Sequence, residues 1–323
     1  MNYNLRFTAV LFFVSSFLLA QKVTNPNLQS EELGKVTWLR DYEIAIKLAK
    51  KEHKDVLLLF QEVPGCSTCR NYGHQVLSHP FMVEIIENSF VPLAIFNNKG
   101  GKDAQVLSKY KEPSWNNPVV RIIDEQGDNV INRISSDYSA LGLFTGMKQA
   151  LLKKGKKIPE YMNLLEQELT TVDTEKAYYK MYCFWTGEKQ LGQLPSVLHT
   201  ESGFINYSEV VEVTFDAKEI TKKEMDTYAR FNNMTPVSNE KSFRSSPKDI
   251  HYYLQHSKYK YLPLTTLQKT KINSALGGGK STEHLLSPKQ KKWLKSVTSY
   301  SEILFTTEFS KAWAIMENRE NSL

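Results

Sequence analysis

Val56-Leu57-Leu58-Leu59-Phe60 is an uninterrupted apolar run, followed after Gln61 and Glu62 by the turn Val63-Pro64-Gly65 and the pair Cys66-Ser67-Thr68-Cys69. A strand apolar on both faces must be covered on both, which places it inside a layered α/β domain. Upstream, Leu39, Tyr42, Ile44, Ala45, Leu48 and Ala49 recur at helical spacing between Val36 and Lys54. That spacing predicts a helix leading into the buried strand. Downstream, Phe90 to Phe96 reads as a second strand and Val119 to Asp124 as a third. Gly127-Asp128 then predicts a hairpin turn into Val130 to Ile134, with an amphipathic helix following through Leu151.

The turn carrying Cys66 leads into a predicted helix. A thiolate at a helix N-terminus faces the positive end of the macrodipole and unpaired amides, which lower its pKa. Cys66 is therefore expected to be the exposed, acidic thiol and Cys69, a turn inside the helix, the sheltered one. Two other readings of the pair stand beside redox chemistry, a static disulfide and a metal site. Three cysteines make a poor disulfide framework. No second Cys or His pair lies at ligand spacing, so no metal and no cofactor is expected.

This order of elements, with Cys-x-x-Cys after the first central strand and Asn117-Pro118 before the third, resembles the thioredoxin superfamily, particularly its exported members. The resemblance implies a thioredoxin fold, disulfide reductase activity, and a cis Pro118 that faces the dithiol and contacts substrate. Cys66-Ser67-Thr68-Cys69 stands where thioredoxin itself has Trp-Cys-Gly-Pro-Cys, so the direction of electron flow is not implied.

Met1 to Ala20 carries Arg6 and an apolar stretch from Phe7 to Leu19 before polar Gln21-Lys22. It reads as a secretory signal peptide, with a protein that is periplasmic or extracellular and soluble after cleavage. The other reading is a retained anchor, although the stretch falls short of the roughly 20 residues that span a bilayer. The 41 basic and 35 acidic residues leave a net charge of +6, and the densest basic run is Lys153, Lys154, Lys156 and Lys157. No aromatic residues interleave with that run, so it reads as a linker and no nucleic-acid partner is expected.

At 323 residues the chain is long enough for two cores. Beyond the linker and a helix around Tyr161 to Leu169, Ala177 to Tyr182 reads as a strand ending at Cys183-Phe184-Trp185. Leu194-Pro195-Ser196-Val197 then leads to Gly203-Phe204, and Ser208-Glu209-Val210-Val211 opens a strand ending at Asp216. Together these segments resemble the A-type peptide methionine sulfoxide reductases, whose signatures are Gly-Cys-Phe-Trp, Leu-Pro-Gly-Val before Gly-Tyr, and His-Ala-Glu-Val-Val. Phe243-Arg244-Ser245 and Pro263-Leu264-Thr265 extend the resemblance, which covers about Glu175 to Leu276.

The resemblance implies Cys183 as the nucleophile on the sulfoxide sulfur, Glu209 as the proton donor, and Phe184 and Trp185 as walls around the substrate methyl group. Phe204 and Phe243 occupy the positions of the family's two oxygen-binding tyrosines, and Tyr182 replaces its glycine before the nucleophile. Phenylalanine donates no hydrogen bond, and losing such a donor commonly costs on the order of 100-fold in rate.

The expected fold is thus mixed, α/β and α+β. Residues 1–20 form the signal, 21–157 a thioredoxin-like domain, 158–276 a reductase-like domain and 277–323 a helical C-terminal extension. Expected partners are methionine sulfoxide-containing peptides or proteins and an external thiol donor, with membrane contact only through an uncleaved signal. Cys66 and Cys69 would regenerate Cys183; the alternative is a thiol–disulfide oxidoreductase whose second domain only binds clients. Gly277-Gly278-Gly279-Lys280-Ser281 lacks the leading glycine and the preceding strand of a phosphate loop and reads as a loop. From Leu286-Ser287-Pro288 to Ile315, Trp293, Leu294, Tyr300, Ile303 and Leu304 are spaced to make one apolar helix face that packs on the second domain or on a partner.

Overall fold

The structure, a computed structural model, describes residues 23–322 apart from Asn116 and Asn239, so the expected signal segment lies outside the described residues. The chain divides into two compact units between Ile158 and Pro159. Among the described residues no helix is long and apolar enough to cross a membrane.

The first unit runs α1 (Tyr42–Glu52), β1 (Asp55–Gln61), α2 (Ser67–Gln75), α3 (Pro80–Ser89), β2 (Phe90–Phe96), α4 (Lys102–Lys109), β3 (Val119–Ile123) and α5 (Ala140–Lys153). Its sheet has the order β2-β1-β3, with β1 parallel to β2 and antiparallel to β3. Val56 through Phe60 are each 0% exposed, as the apolar run requires. Burial of such side chains contributes about 1.5–3 kcal/mol apiece.

Two local expectations need correction. The helical spacing begins at Val36, but α1 starts only after Asp41, whose carboxylate accepts the Ile44 N–H at 3.2 Å. Leu39 is instead extended along β2, donating to the Pro92 carbonyl at 2.9 Å and accepting from the Ala94 N–H at 3.0 Å. The open edge of β2 satisfies backbone groups there, and that demand outweighs side-chain periodicity. The hairpin turn at Gly127-Asp128 forms, with the Asp124 N–H on the Asp128 carbonyl at 2.9 Å. Val130 to Ile134 nonetheless makes no strand: among the described residues this segment meets β3 through the isolated bridges Ile123–Asn129 and Val120–Ile134. Four positions on β3, 120–123, face six on the returning segment, 129–134, and the surplus bulges out of the ladder.

The second unit runs α6 (Glu160–Thr170), β4 (Thr174–Lys180), α7 (Phe184–Gly192), β5 (Val197–Ile205), β6 (Ser208–Asp216), α8 (Lys222–Phe231), β7 (Thr235–Val237), β8 (Phe243–Ser245), α9 (Tyr252–Gln255), α10 (Thr266–Gly277), α11 (Pro288–Ser296) and α12 (Phe309–Glu320). Its five strands, in the order β7-β4-β6-β5-β8, pair antiparallel throughout. One face carries Ala177, Tyr179, Val211, Val213 and Phe215 against α7 and α8. The opposite face carries Tyr178, Ile205 and Val210.

The single apolar face read from Leu286 to Ile315 is really two helices, α11 and α12, with irregular chain between them. Tyr300 is 97% and Ile303 55% exposed, because both fall in that irregular stretch, while Trp293 and Leu304 are buried. The tail packs on its own unit: the Leu304 N–H donates to the Lys260 carbonyl at 2.9 Å, and Gln290 Nε2 donates to the Pro263 carbonyl at 2.6 Å.

In the first unit a 3-10 turn, Glu31–Leu33, packs on α2. A Cβ added at Gly73 would stand 2.0 Å from the Glu31 carbonyl oxygen, backbone that cannot swing aside. Gly73→Ala should therefore destabilise the protein by roughly 1–3 kcal/mol. Urea denaturation checks this; an unchanged midpoint would mean that the turn is not seated on the helix.

Candidate functional site

Cys66 is the N-cap residue of α2 and is exposed, whereas Cys69, in the first turn of the helix, is buried. Their sulfurs are 3.7 Å apart, and both thiols are free. The backbone N–H of Cys69, and then the Thr68 N–H and hydroxyl, hold the Cys66 thiol below its ordinary value despite some desolvation. Burial, reinforced by the neighbouring Cys66, pushes Cys69 up to about 12. The pair is thus split into an exposed thiol of lowered pKa and a buried thiol of raised pKa.

Three features around the pair were not legible in the residue pattern. Glu32 is buried and accepts the Gly65 N–H at 2.7 Å, while Arg70 donates to the Gly65 carbonyl at 2.7 Å. Burial alone would raise the Glu32 carboxyl, but hydrogen bonds from Ser30 and Gly65 and the charge of Arg70 hold it below its ordinary value. Gln61 Nε2 donates to the Glu32 carbonyl at 2.8 Å and to the Cys69 carbonyl at 3.3 Å. The loop is therefore fastened at the two peptide groups that flank the Gly65 Cα. Only glycine fits there, since a Cβ at Gly65 would lie 2.4 Å from the Glu62 carbonyl oxygen and 2.7 Å from Cys69 Cβ. Before β3, the Asn117–Pro118 bond is cis, and the Asn117 Oδ1 accepts from the Cys69 thiol at 2.7 Å.

The second candidate site lies where β4 turns into α7. Cys183 is the N-cap residue of α7 and is partly exposed. The strand ends at Lys180, two residues earlier than Tyr182, although the Met181 N–H still reaches the Glu209 carbonyl at 3.1 Å. Glu209 opens β6 opposite Phe204 of β5, and its carboxylate accepts the Phe184 N–H at 2.8 Å. Sheet register thus carries this carboxylate to the residue that follows the cysteine. The Phe184 ring meets Phe204 at 5.4 Å and Trp185 at 6.2 Å, and Trp185 stacks on Tyr252 at 3.8 Å. Asp249 accepts the Trp185 indole N–H at 3.3 Å and the Ser246 hydroxyl at 2.6 Å, which orients the indole.

Phe243 does not join this group. It pairs with Ile205, whose side chain alternates with that of Phe204, and its ring packs on Tyr178 at 5.4 Å on the opposite face of the sheet. The expected substrate-binding role at Phe243 is therefore corrected: strand alternation turns it away from Cys183. The phenol that does feel Cys183 is Tyr253, held above its ordinary pKa first by burial and then by the charge of Cys183.

Beneath the aromatic wall, Glu188 of α7 is fully buried with Thr200, Ser202 and His251. It accepts the His251 N–H at 2.8 Å and the Thr200 hydroxyl at 3.3 Å. Burial outweighs these bonds and pushes Glu188 up to about 8. Burial, and then the neighbouring His199, keep His251 well below its ordinary value, so both buried groups are neutral at neutral pH. Glu188 stands five residues after Cys183, but nothing in its spacing distinguishes a buried carboxyl from a surface one.

Residues 37–125 match the family model described as thioredoxin-like. Among solved structures, an oxidoreductase titled DsbH is 19% identical to this chain, covering 39% of it and 92% of its own length at a TM-score of 0.32. A thioredoxin from Thermus thermophilus is likewise 19% identical, covering 36% of this chain and 88% of its own, at a TM-score of 0.32. None of the curated protein sequences matches this chain. The first unit thus contains a thioredoxin-like domain with a Cys-x-x-Cys redox pair.

Two outcomes follow from the titration behaviour. Alkylation at neutral pH should label Cys66 about tenfold or more faster than Cys69. Peptide mapping reads this directly, and preferential labelling of Cys69 would reverse the assignment. Glu188 has a folded pKa near 8 against an ordinary 4.5, so the stability it contributes is complete below about 4.5 and is lost as pH rises to about 8. Glu188→Gln should gain stability relative to the unsubstituted protein between about pH 5 and about pH 9. Urea midpoints that fall in parallel over that range would exclude it.

Proposed function

We propose that the protein is an exported two-centre thiol oxidoreductase in which Cys183 reduces methionine sulfoxide in peptides or proteins and the Cys66/Cys69 dithiol regenerates it. What supports this reading is the carboxylate of Glu209, brought by sheet register to the amide directly after Cys183 and bordered by Phe184, Trp185 and Phe204. A nucleophile, an acid and an apolar wall are the groups that sulfoxide reduction needs together.

In the first step the Cys183 sulfur attacks the sulfoxide sulfur, Glu209 delivers a proton to the oxygen, and the oxygen passes to Cys183. The products are a thioether and a Cys183 sulfenic acid. Cys66 then displaces water from the sulfenic acid to form a mixed disulfide. Cys69 attacks Cys66 Sγ, releasing the Cys183 thiol and leaving a Cys66–Cys69 disulfide. An external dithiol restores the pair, with Pro118 beside Asn117 as the contact surface for incoming disulfides. Because both centres are on one chain, regeneration proceeds at an effective concentration of about millimolar, within one chain or between copies. Met1 to Ala20 serves as the export signal in this reading, and the protein acts outside the cytoplasm.

The absence of a hydroxyl at Phe204 favours a second reading, a disulfide reductase whose second unit only binds clients. Single turnover with reduced protein and a methionine sulfoxide peptide separates the two. Wild type should form one equivalent of methionine, Cys183→Ser none, and Cys69→Ser one equivalent before stalling as a sulfenic acid or a Cys183–Cys66 disulfide. Binding of the peptide without methionine formation by wild type would establish the second reading. Insulin reduction should survive in Cys183→Ser and vanish in Cys66→Ser.

A further inference from the structure

A Cys-x-x-Cys pair alone offers a cation two ligands, and the residue spacing supplies no third. The fold supplies one. The turn at Val63-Pro64-Gly65 folds α2 back over the end of β1, and a carboxylate oxygen of Glu62 and the sulfurs of Cys66 and Cys69 all lie within 4.8 Å of one another. Among the described residues no other set of three His, Cys, Asp or Glu side chains brings its donor atoms so close.

We propose that Glu62, Cys66 and Cys69 form a three-ligand site for a thiophilic divalent cation of the zinc type, open only in the reduced protein. Two sulfurs on one tetrahedral zinc, each at about 2.3 Å, stand about 3.8 Å apart. The reduced pair already stands at 3.7 Å, so the sulfurs are set for a cation without rearrangement. Glu62 closes the third position with a hard oxygen donor. Three protein ligands leave the fourth position to water, and the exposure of Cys66 gives solvent access to it. The loop is held in this shape by the clamp on Gly65, with Glu32 on its N–H and Arg70 on its carbonyl.

Binding moves no electrons: the cation forms two metal–sulfur bonds and one metal–oxygen bond, and the protons of the two thiols go to solvent. Asn117, whose amide oxygen now accepts from the Cys69 thiol, turns its NH2 end to the thiolate that results. Oxidation to the disulfide, with sulfurs about 2.05 Å apart, removes both sulfur ligands and expels the cation. The cation in turn occupies the electron pair with which Cys66 attacks, so metal loading and disulfide exchange exclude one another.

The test uses the full chain carrying Cys183→Ser, so that no third thiol contributes and the result is independent of the sulfoxide reaction. Anaerobic titration of the reduced protein with Co2+ should give one equivalent with thiolate-to-cobalt charge transfer in the near ultraviolet and the intense visible bands of a four-coordinate ion. Zn2+ should displace it and slow insulin reduction stoichiometrically, and the oxidised protein should give no such spectrum. Glu62→Gln should weaken Zn2+ binding about tenfold or more while circular dichroism stays that of the parent. Equal affinity in Glu62→Gln and the parent would overturn the three-ligand site. So would a cobalt spectrum without charge transfer, or the same binding by oxidised protein, a comparison that holds even where Glu62→Gln fails to fold.

Discussion

β1 has no face toward water: Val56 through Phe60 are wholly buried between β2 and β3 and the helices that cover the sheet. That burial makes the strand the reference against which the dithiol is placed. The chain leaves β1 at Gln61 and turns through Val63-Pro64-Gly65, so Cys66 arrives at the start of α2 with free amides in front of it. The Glu32 carboxylate and the Arg70 guanidinium then anchor the N–H and the carbonyl of Gly65. A strand that shifted, or a loop that slackened, would separate Cys66 from the Cys69 and Thr68 amides that lower its pKa. The asymmetry of the two thiols is thus a consequence of core packing carried through one short loop.

The second unit solves the same problem by register. Glu209 reaches Phe184 because β6 pairs with β5 so that Glu209 faces Phe204, and because the Glu209 carbonyl takes the Met181 N–H. A slip of one residue would send the carboxylate to the face that holds Tyr178, Ile205 and Val210. In the buried polar layer under the site, Glu188 accepts from the Thr200 hydroxyl and the His251 backbone N–H, and desolvation keeps Glu188 and His251 neutral. Such a layer is costly if any member loses its partner, which ties α7 to β5 and to the segment before α9 in one arrangement.

Proximity also gives the dithiol two mutually exclusive uses. The 3.7 Å between the sulfurs suits both closure to a disulfide and chelation, and Glu62 tips the reduced form toward the second. The choice between them rests on oxidation state.

The residue pattern alone determined that Val56–Phe60 is a central strand, that Cys66 precedes and Cys69 enters a helix, and that Cys183-Phe184-Trp185 stands at the end of a strand. These are local facts, decided by apolar runs, turn residues and helix-start position within a few residues of one another. The start of α1 differs from the periodicity because the distant edge of β2 takes Leu39, the segment after Gly127 because its surplus residues bulge out of the ladder, and the tail because irregular chain separates α11 from α12. Only tertiary structure could bring Glu32 to Gly65, Glu62 and Asn117 to the sulfurs, and Glu209 to Phe184. Only register could turn Phe243 away from Cys183. A sequence records which groups a chain owns and their local periodicity; which of them share a few ångströms is set by strand pairing and burial over long separations, where spacing carries no signal.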